Sequence, residues 1–88
     1  MKKILIVEDD AEMRKLIVDA FNKKGFTTAQ ASDGEGGLKV AADFKPDSIL
    51  TDLMMPNMDG LTMIKQLREA EWSKNIPITI LRARPLIT

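Results

Sequence analysis

The sequence predicts an α/β domain built on a parallel sheet. Short apolar runs, typical of strands buried on both faces, alternate with segments of helical periodicity in the order βαβαβαβ. Two of these runs end directly in acidic residues, at the position where parallel sheets bind ligands. A chain of 88 residues has room for one domain, and its strand–helix–strand connections imply right-handed crossovers.

The first strand and helix have the clearest patterns. Residues 4–7 are a largely β-branched run without alternation, which indicates a strand covered on both faces. Apolar residues then recur at helical spacing from Met13 to Phe21, opposite a charged face, and Gly25 stands where a helix C-cap is expected. The sequence therefore predicts an amphipathic helix over this stretch.

The second unit has weaker signals. Residues 26–31 have moderate strand character, and residues 32–35 match a capping box in which Ser32 begins the next helix. Gly36 and Gly37 lower the intrinsic helix propensity of that segment. We expect a helix here, but a locally poor one.

The third unit repeats the layout of the first. Residues 48–51 form another buried strand, and Asp52 follows it directly. A loop over residues 55–60 leads into a helix predicted to run from Leu61 to about Trp72. A fourth strand is predicted over residues 78–81.

Composition and charge exclude several classes of protein. Thirteen basic residues balance thirteen acidic ones, which argues against direct binding of nucleic acid through a basic face. The chain has no Cys and no His, so thiolate zinc sites, Cys nucleophiles and a phosphohistidine are all excluded. No apolar run approaches the length that spans a membrane, and we expect a cytoplasmic protein.

Acidic side chains stand at the ends of two predicted strands. Glu8 and Asp9 follow the first strand, and Asp52 follows the third. If these strands are neighbours, the three carboxylates converge and repel one another unless a cation lies among them. Mg²⁺ is a hard ion that prefers oxygen ligands, and it suits such a site better than zinc does. The pattern predicts a magnesium site.

Three stretches together resemble the receiver domain of two-component response regulators. They are residues 7–10, Arg14, and residues 50–60, which contain the motif D-x-x-M-P-x-x-D-G. The resemblance covers residues 1 to about 81, and the chain is similar to receiver domains of the chemotaxis-regulator type. It implies a flavodoxin-like fold with strand order 2-1-3-4.

The resemblance also implies roles for the acidic residues. Glu8 and Asp9 would be the acidic pair, with Asp9 the closer Mg²⁺ ligand, and Asp52 would be both a ligand and the phospho-acceptor. The backbone carbonyl of Met54 would be a further metal ligand. The phosphoryl donor would be a sensor histidine kinase, a phosphotransfer protein or a small phosphodonor. Such a module is not an enzyme beyond self-catalysed phosphotransfer.

The resemblance fails towards the C-terminus. Arg82 stands where the family carries Thr or Ser, and the fifth strand, which ends in a Lys that pairs with the phosphoryl group, has no counterpart. We therefore interpret residues 1–88 as a single receiver domain truncated after its fourth strand, with residues 82–88 as an atypical tail. Impaired switching is expected, because the C-terminal part of the family pattern, with the Lys and the hydroxyl that respond to the phosphoryl group, is missing.

Other interpretations stay open. A degenerate receiver could act as a protein-interaction module without phosphotransfer, and a haloacid-dehalogenase-like phosphohydrolase also uses a strand-end Asp with Mg²⁺. The latter needs a second Asp two positions on, where this chain has Met54. Asp10 is expected to cap the first helix rather than bind metal, and Arg14 to be exposed.

An uncovered sheet edge predicts self-association. Residues 78–81 contain no charge and would form an edge strand, which invites pairing with a second copy. We expect a homodimer formed by edge pairing or by exchange of the C-terminal segment, with a two-fold axis.

Overall fold

The computed structural model describes residues 2–53, 55 and 57–81. Within these ranges strands and helices alternate as predicted. The carbonyl of Met54 and the tail over residues 82–88 lie outside the described residues. The elements in chain order are β1 (Lys3–Val7), α1 (Ala11–Lys23), β2 (Thr27–Ala31), α2 (Gly34–Phe44), β3 (Ser48–Thr51), α3 (Gly60–Glu69) and β4 (Ile78–Ile80).

The four strands form one parallel sheet with the order β2-β1-β3-β4. This confirms the predicted fold class and strand order. β1 is central, and its last residue, Val7, is in register with Ala31 of β2 and Thr51 of β3. Because the three strands end level with one another, the residues that follow β1 and β3 leave the sheet side by side.

The opposite end of the β1–β3 pair is held by two residues 44 positions apart. The Lys3 N–H donates to the Asp47 carboxylate at 2.8 Å. The Asp47 N–H donates to the Lys3 carbonyl oxygen at 2.8 Å. These two bonds support the register that brings the strand ends together.

The helices cover the two faces of the sheet unequally. α1 packs on one face, while α2 and α3 pack on the other. Every residue of β1 after Lys3 is buried, which explains why its sequence shows no alternation. The buried residues of the α1 face are Ile4, Ile6 and Val18. Those of the other face are Leu5, Val7, Ala41, Ile49, Met63 and Leu67.

Gly37 has a packing reason that the propensity argument missed. A Cβ atom at this position would lie 2.7 Å from the Met63 Sδ and 3.2 Å from a methyl carbon of Val7. The weak helix former therefore lets α2 approach both the sheet and α3 closely.

Two predicted helix boundaries are wrong. The capping box predicted Ser32 as the N-cap of α2, but Asp33 is the cap, and its carboxylate accepts from the Gly36 N–H at 2.7 Å. α3 ends at Glu69 rather than near Trp72. The Ser73 hydroxyl, which is buried, donates to the Leu67 carbonyl oxygen at 2.6 Å and replaces a helical bond there.

None of the helices in the described part of the chain combines the length and the apolar character needed to cross a bilayer.

Candidate metal and phospho-acceptor site

Three carboxylates meet at the carboxyl edge of the sheet. Glu8 and Asp9 follow β1, and Asp52 follows β3. The Asp52 N–H donates to the Val7 carbonyl oxygen at 3.1 Å, so it continues the β1–β3 ladder by one residue. One carboxylate oxygen from each of the three residues lies within 4.8 Å of the others. The structure thus brings together all three acidic residues that the sequence singled out.

Two of these acidic side chains are buried. The exposed fractions of Glu8 and Asp52 are both 0%, while Asp9 is half-buried. Removing a carboxylate from water favours its neutral form unless an opposite charge or hydrogen-bond donors compensate. This cost applies to Glu8, whose carboxyl group is fully buried.

The pKa of Glu8 reflects this burial. Burial raises the pKa of Glu8 from its ordinary value of 4.5 to about 7. The Asp10 N–H donates to Glu8 Oε2 at 2.8 Å and opposes the rise, because it favours the ionised form. Hydrogen bonds with the Asp52 and Asp9 carboxyl groups, and the charge of Asp52, raise the pKa further. A bound proton or a bound cation relieves the same repulsion.

The donor set fits Mg²⁺. All three groups offer hard carboxylate oxygens, and the chain has no His or Cys to favour zinc. The half-buried Asp9 leaves the cluster accessible from solvent. Mg²⁺ is usually bound by one or two carboxylates and keeps several water molecules, so this cluster offers enough protein ligands.

Arg14 is half-buried and bonded to this edge, so the prediction of simple surface exposure is wrong. Its Nη1 donates to the Glu8 carbonyl oxygen at 2.7 Å, and its Nε donates to the Gln30 Oε1 at 3.0 Å. The guanidinium group thereby joins α1 to the ends of β1 and β2. Helical periodicity placed Arg14 away from the apolar face but gave no sign of a bond back to the strand end.

Asp10 and Asp59 are helix caps. Asp10 Oδ1 accepts from the Glu12 and Met13 N–H groups at 2.9 and 3.1 Å, at the start of α1. Asp59 Oδ1 accepts from the Thr62 N–H at 2.8 Å, and this bond lowers the pKa of Asp59. The role of Asp10 agrees with the cap expected from the sequence.

Gly60 packs directly against the backbone that follows β3. Its N–H donates to the Leu53 carbonyl oxygen at 2.6 Å. A Cβ atom at Gly60 would overlap the Asp52 carbonyl oxygen and lie 2.8 Å from the Leu53 Cα. The start of α3 can therefore lie against Asp52 only because this residue has no side chain.

Comparison with known proteins identifies the family. Residues 4–85 match the response regulator receiver domain. The chain belongs to this family. The resemblance found in the sequence is thereby confirmed, and the receiver domain is a signalling module.

Two curated relatives show the kinds of protein that this chain resembles. This receiver domain is 37% identical over 82 residues to sporulation initiation phosphotransferase F of Bacillus subtilis, covering 93% of this chain and 64% of that protein. It is 37% identical over 83 residues to the DNA-binding dual master transcriptional regulator RpaA of Synechocystis sp., covering 94% of this chain and 34% of that protein. The chain spans less than two thirds of the length of both relatives.

Solved structures share the fold. The N-terminal domain of a response regulator receiver protein from Methanoculleus marisnigri superposes with a TM-score of 0.90 at 29% identity, covering 99% of this chain and 71% of that one. The response regulator protein TrrA from Thermotoga maritima, in complex with Mg²⁺ and BeF, gives a TM-score of 0.84 at 29% identity, covering 91% of this chain and 68% of that one.

Proposed function

We propose that this receiver domain accepts a phosphoryl group on Asp52, with Mg²⁺ held by Glu8, Asp9 and Asp52. The observation that carries the proposal is the convergence of three carboxylates, two of them buried, at one edge of the sheet. A purely structural origin does not account for matched acids on two separate strands. The Met54 carbonyl, predicted as a further ligand, remains a prediction.

The chemistry follows from the acceptor carboxylate. An oxygen of Asp52 attacks the phosphorus of the donor, an acyl-phosphate P–O bond forms, and the donor bond to phosphorus breaks. When the donor is a phosphohistidine, the leaving imidazole nitrogen takes up a proton. Mg²⁺, when bound, would offset the negative charge that the phosphoryl oxygens bring to three carboxylates.

The donor is proposed to be a sensor histidine kinase or a phosphotransfer protein. The chain has no His of its own, so a phosphohistidine must come from another molecule. Relatives of this chain include a sporulation phosphotransferase and the hybrid signal transduction histidine kinase D of Dictyostelium discoideum, which is 42% identical over 81 residues. A cytoplasmic location, which such partners would require, remains a prediction.

Switching is proposed to be weak in this chain. By the family resemblance, a Thr or Ser hydroxyl directly after the fourth strand responds to the phosphoryl group, and this chain has Arg82 there. A guanidinium group can attract the phosphoryl charge, but it cannot reproduce the short contact of a hydroxyl held at a strand end.

The test of the proposed function is phosphoryl uptake from a small donor. The purified chain is incubated with acetyl phosphate and Mg²⁺, and intact-mass spectrometry is expected to show one added phosphoryl group, removable by hydroxylamine. Asp52→Asn is expected to abolish uptake, because an amide is not a nucleophile here. Asp43→Asn, which changes an exposed carboxylate on α2, is the matched control and should retain uptake.

Two other outcomes would replace this proposal. A folded chain that takes up no phosphoryl group would favour the degenerate receiver that acts as an interaction module. Steady release of phosphate from ester substrates would favour the hydrolase. Uptake that persists in Asp52→Asn would contradict the assignment of the acceptor.

We also propose that the chain forms a homodimer through β4. Among the described residues β4 pairs only with β3, and Ile80 is 46% exposed. Unpaired N–H and C=O groups along an uncharged edge favour pairing with a second copy. Sedimentation at micromolar concentration is expected to show a dimer, and Ile80→Lys should shift it to monomer. Leu16→Lys, at an exposed apolar residue of α1, is the control, and a wild-type monomer would contradict the proposal.

A further inference from the structure

The start of α2 is bonded to the segment that precedes α3. Asn57 Nδ2 donates to the Asp33 Oδ2 at 2.7 Å. The Gly34 N–H donates to the Met58 carbonyl oxygen at 2.8 Å. We call these four residues, Asp33, Gly34, Asn57 and Met58, the α2 latch. The latch joins two parts of the chain, and the residues of its side-chain bond, Asp33 and Asn57, are 24 positions apart.

The geometry of the latch is tight. A Cβ atom at Gly34 would overlap the Met58 carbonyl oxygen and lie 2.9 Å from the Met58 Cγ. Asn57 has a φ of 66°, a left-handed conformation that Asn adopts more readily than most residues. The pKa of Asp33 is lowered, chiefly by the hydrogen bond from the Gly36 N–H and next by the hydrogen bond from the Asn57 amide. The ionised carboxylate accepts both bonds at once.

The latch is followed in the chain by a contact with the backbone of the acceptor residue. Met58 is followed by Asp59, which caps α3, and by Gly60. Gly60 bonds the Leu53 carbonyl oxygen at 2.6 Å and packs on the Asp52 carbonyl. Met58 is therefore two positions before the residue that contacts the backbone of Asp52 and Leu53.

We propose that Asp33 and Asn57 are positioning residues for the phospho-acceptor site. Their hydrogen bond holds Met58 against α2, and so holds Gly60 against the backbone of Asp52. This inference rests on the proposed function for its effect on phosphoryl uptake. Its effect on the position of Asp52 does not depend on that function.

Three variants isolate the hydrogen bond from the cap and from the backbone. Asp33→Ser keeps a side-chain oxygen that can cap α2 but removes the acceptor for Asn57. Asn57→Gly keeps access to the left-handed conformation but removes the amide. The double variant Asp33→Asn with Asn57→Asp exchanges amide and carboxylate, so the bond is remade in the reverse direction.

The expected effect of each single variant on Mg²⁺ affinity and phosphoryl uptake is moderate. Each single variant should weaken apparent Mg²⁺ affinity and slow phosphoryl uptake about fivefold, the size of one net hydrogen bond. The exchange variant should recover most of both. Isothermal titration calorimetry with Mg²⁺ alone measures the affinity, and uptake from acetyl phosphate is followed by mass spectrometry.

A second readout does not depend on metal or donor. In ¹H–¹⁵N spectra of the metal-free chain, the amide resonances of Asp52, Leu53 and Gly60 should shift in both single variants and return in the exchange variant. Thr28→Val is the matched control, because it removes another exposed side-chain bond, from Thr28 to Asn22 at 3.0 Å, near the start of β2, whereas the latch follows the end of that strand.

The outcomes separate the two proposals. Single variants that lower only the melting temperature, with wild-type amide resonances, would overturn the positioning role. A wild type that binds no Mg²⁺ and takes up no phosphoryl group would overturn the proposed function, while the amide resonances would still decide whether the latch positions Asp52.

Discussion

Raising the pH without divalent metal is expected to lower the free energy of unfolding through Glu8, by on the order of 3 kcal/mol between about pH 4.5 and about pH 7. Burial raises the pKa of Glu8 from 4.5 to about 7, so over this range the folded chain binds more protons than the unfolded one. The contribution is fully present below about pH 4.5 and is lost as the pH rises through the folded value.

Glu8→Gln measures this contribution directly. The amide keeps the shape of the side chain but carries no charge, so the variant should be more stable than wild type at about pH 8 by the same order. Below about pH 4.5 the two should be similar. Denaturant unfolding across this range checks the prediction, and Glu35→Gln, at an exposed position in α2, is the control. Parallel pH profiles of wild type and Glu8→Gln would contradict it.

Added Mg²⁺ should restore the free energy of unfolding that wild type loses as the pH rises. A cation among ionised carboxylates replaces the proton, so added Mg²⁺ should stabilise wild type most at high pH and stabilise Glu8→Gln less. This result would connect the raised pKa of Glu8 to metal binding.

Gly60→Ala is expected to destabilise the domain by about 3 kcal/mol or more, a large part of the stability of so small a domain. The new Cβ would overlap the Asp52 carbonyl oxygen and lie 2.8 Å from the Leu53 Cα. Both contacts are with backbone, which cannot rotate away as a side chain can. The start of α3 would have to move away from β3.

Gly36→Ala is the control for this change. A Cβ there would lie 3.2 Å from an Asp33 side-chain oxygen and 3.7 Å from the Ala31 Cβ. These are side-chain atoms, and Ala is the better helix former, so the change should stay within about 1 kcal/mol. Denaturant unfolding compares the two variants. Equal stability of Gly60→Ala and wild type would mean that the contact with Asp52 is loose.

The fold could be predicted because its signals are local. The run over residues 4–7 indicates a buried strand without reference to any other part of the chain, and β1 covers it. Acids directly after two such runs mark the edge of the sheet that binds ligands. The strand order came from the family resemblance, since periodicity does not say which strands are neighbours.

The errors in the helix boundaries arose where a single side-chain hydrogen bond decides local structure. α3 ends early because Ser73 bonds Leu67, and Asp33 rather than Ser32 caps α2. Neither choice is visible in a sequence window, because both Ser and Asp are good caps. The Asn57 partner of Asp33 lies 24 positions away, and no pattern in the sequence links the two.

The candidate site was only partly predictable, because part of it depends on packing and on bonds between separate elements. Its residue types and their places after the strands identified Glu8, Asp9 and Asp52. The full burial of Glu8 and its raised pKa depend on packing, which a pattern does not reveal. Arg14 was placed on a surface by helical spacing, although its guanidinium group reaches back to the Glu8 carbonyl.

The pairing of β1 with β3 has a consequence for folding kinetics. It joins residues 44 positions apart, as Lys3 and Asp47 show, and it is the most distant strand pairing in the described sheet. Contacts between distant residues close large loops and tend to form late. The carboxylates meet only after that loop has closed. A cation bound among them therefore stabilises the folded chain but does not assist the folding step that pairs β1 with β3. Its presence would slow unfolding and leave the rate of folding nearly unchanged.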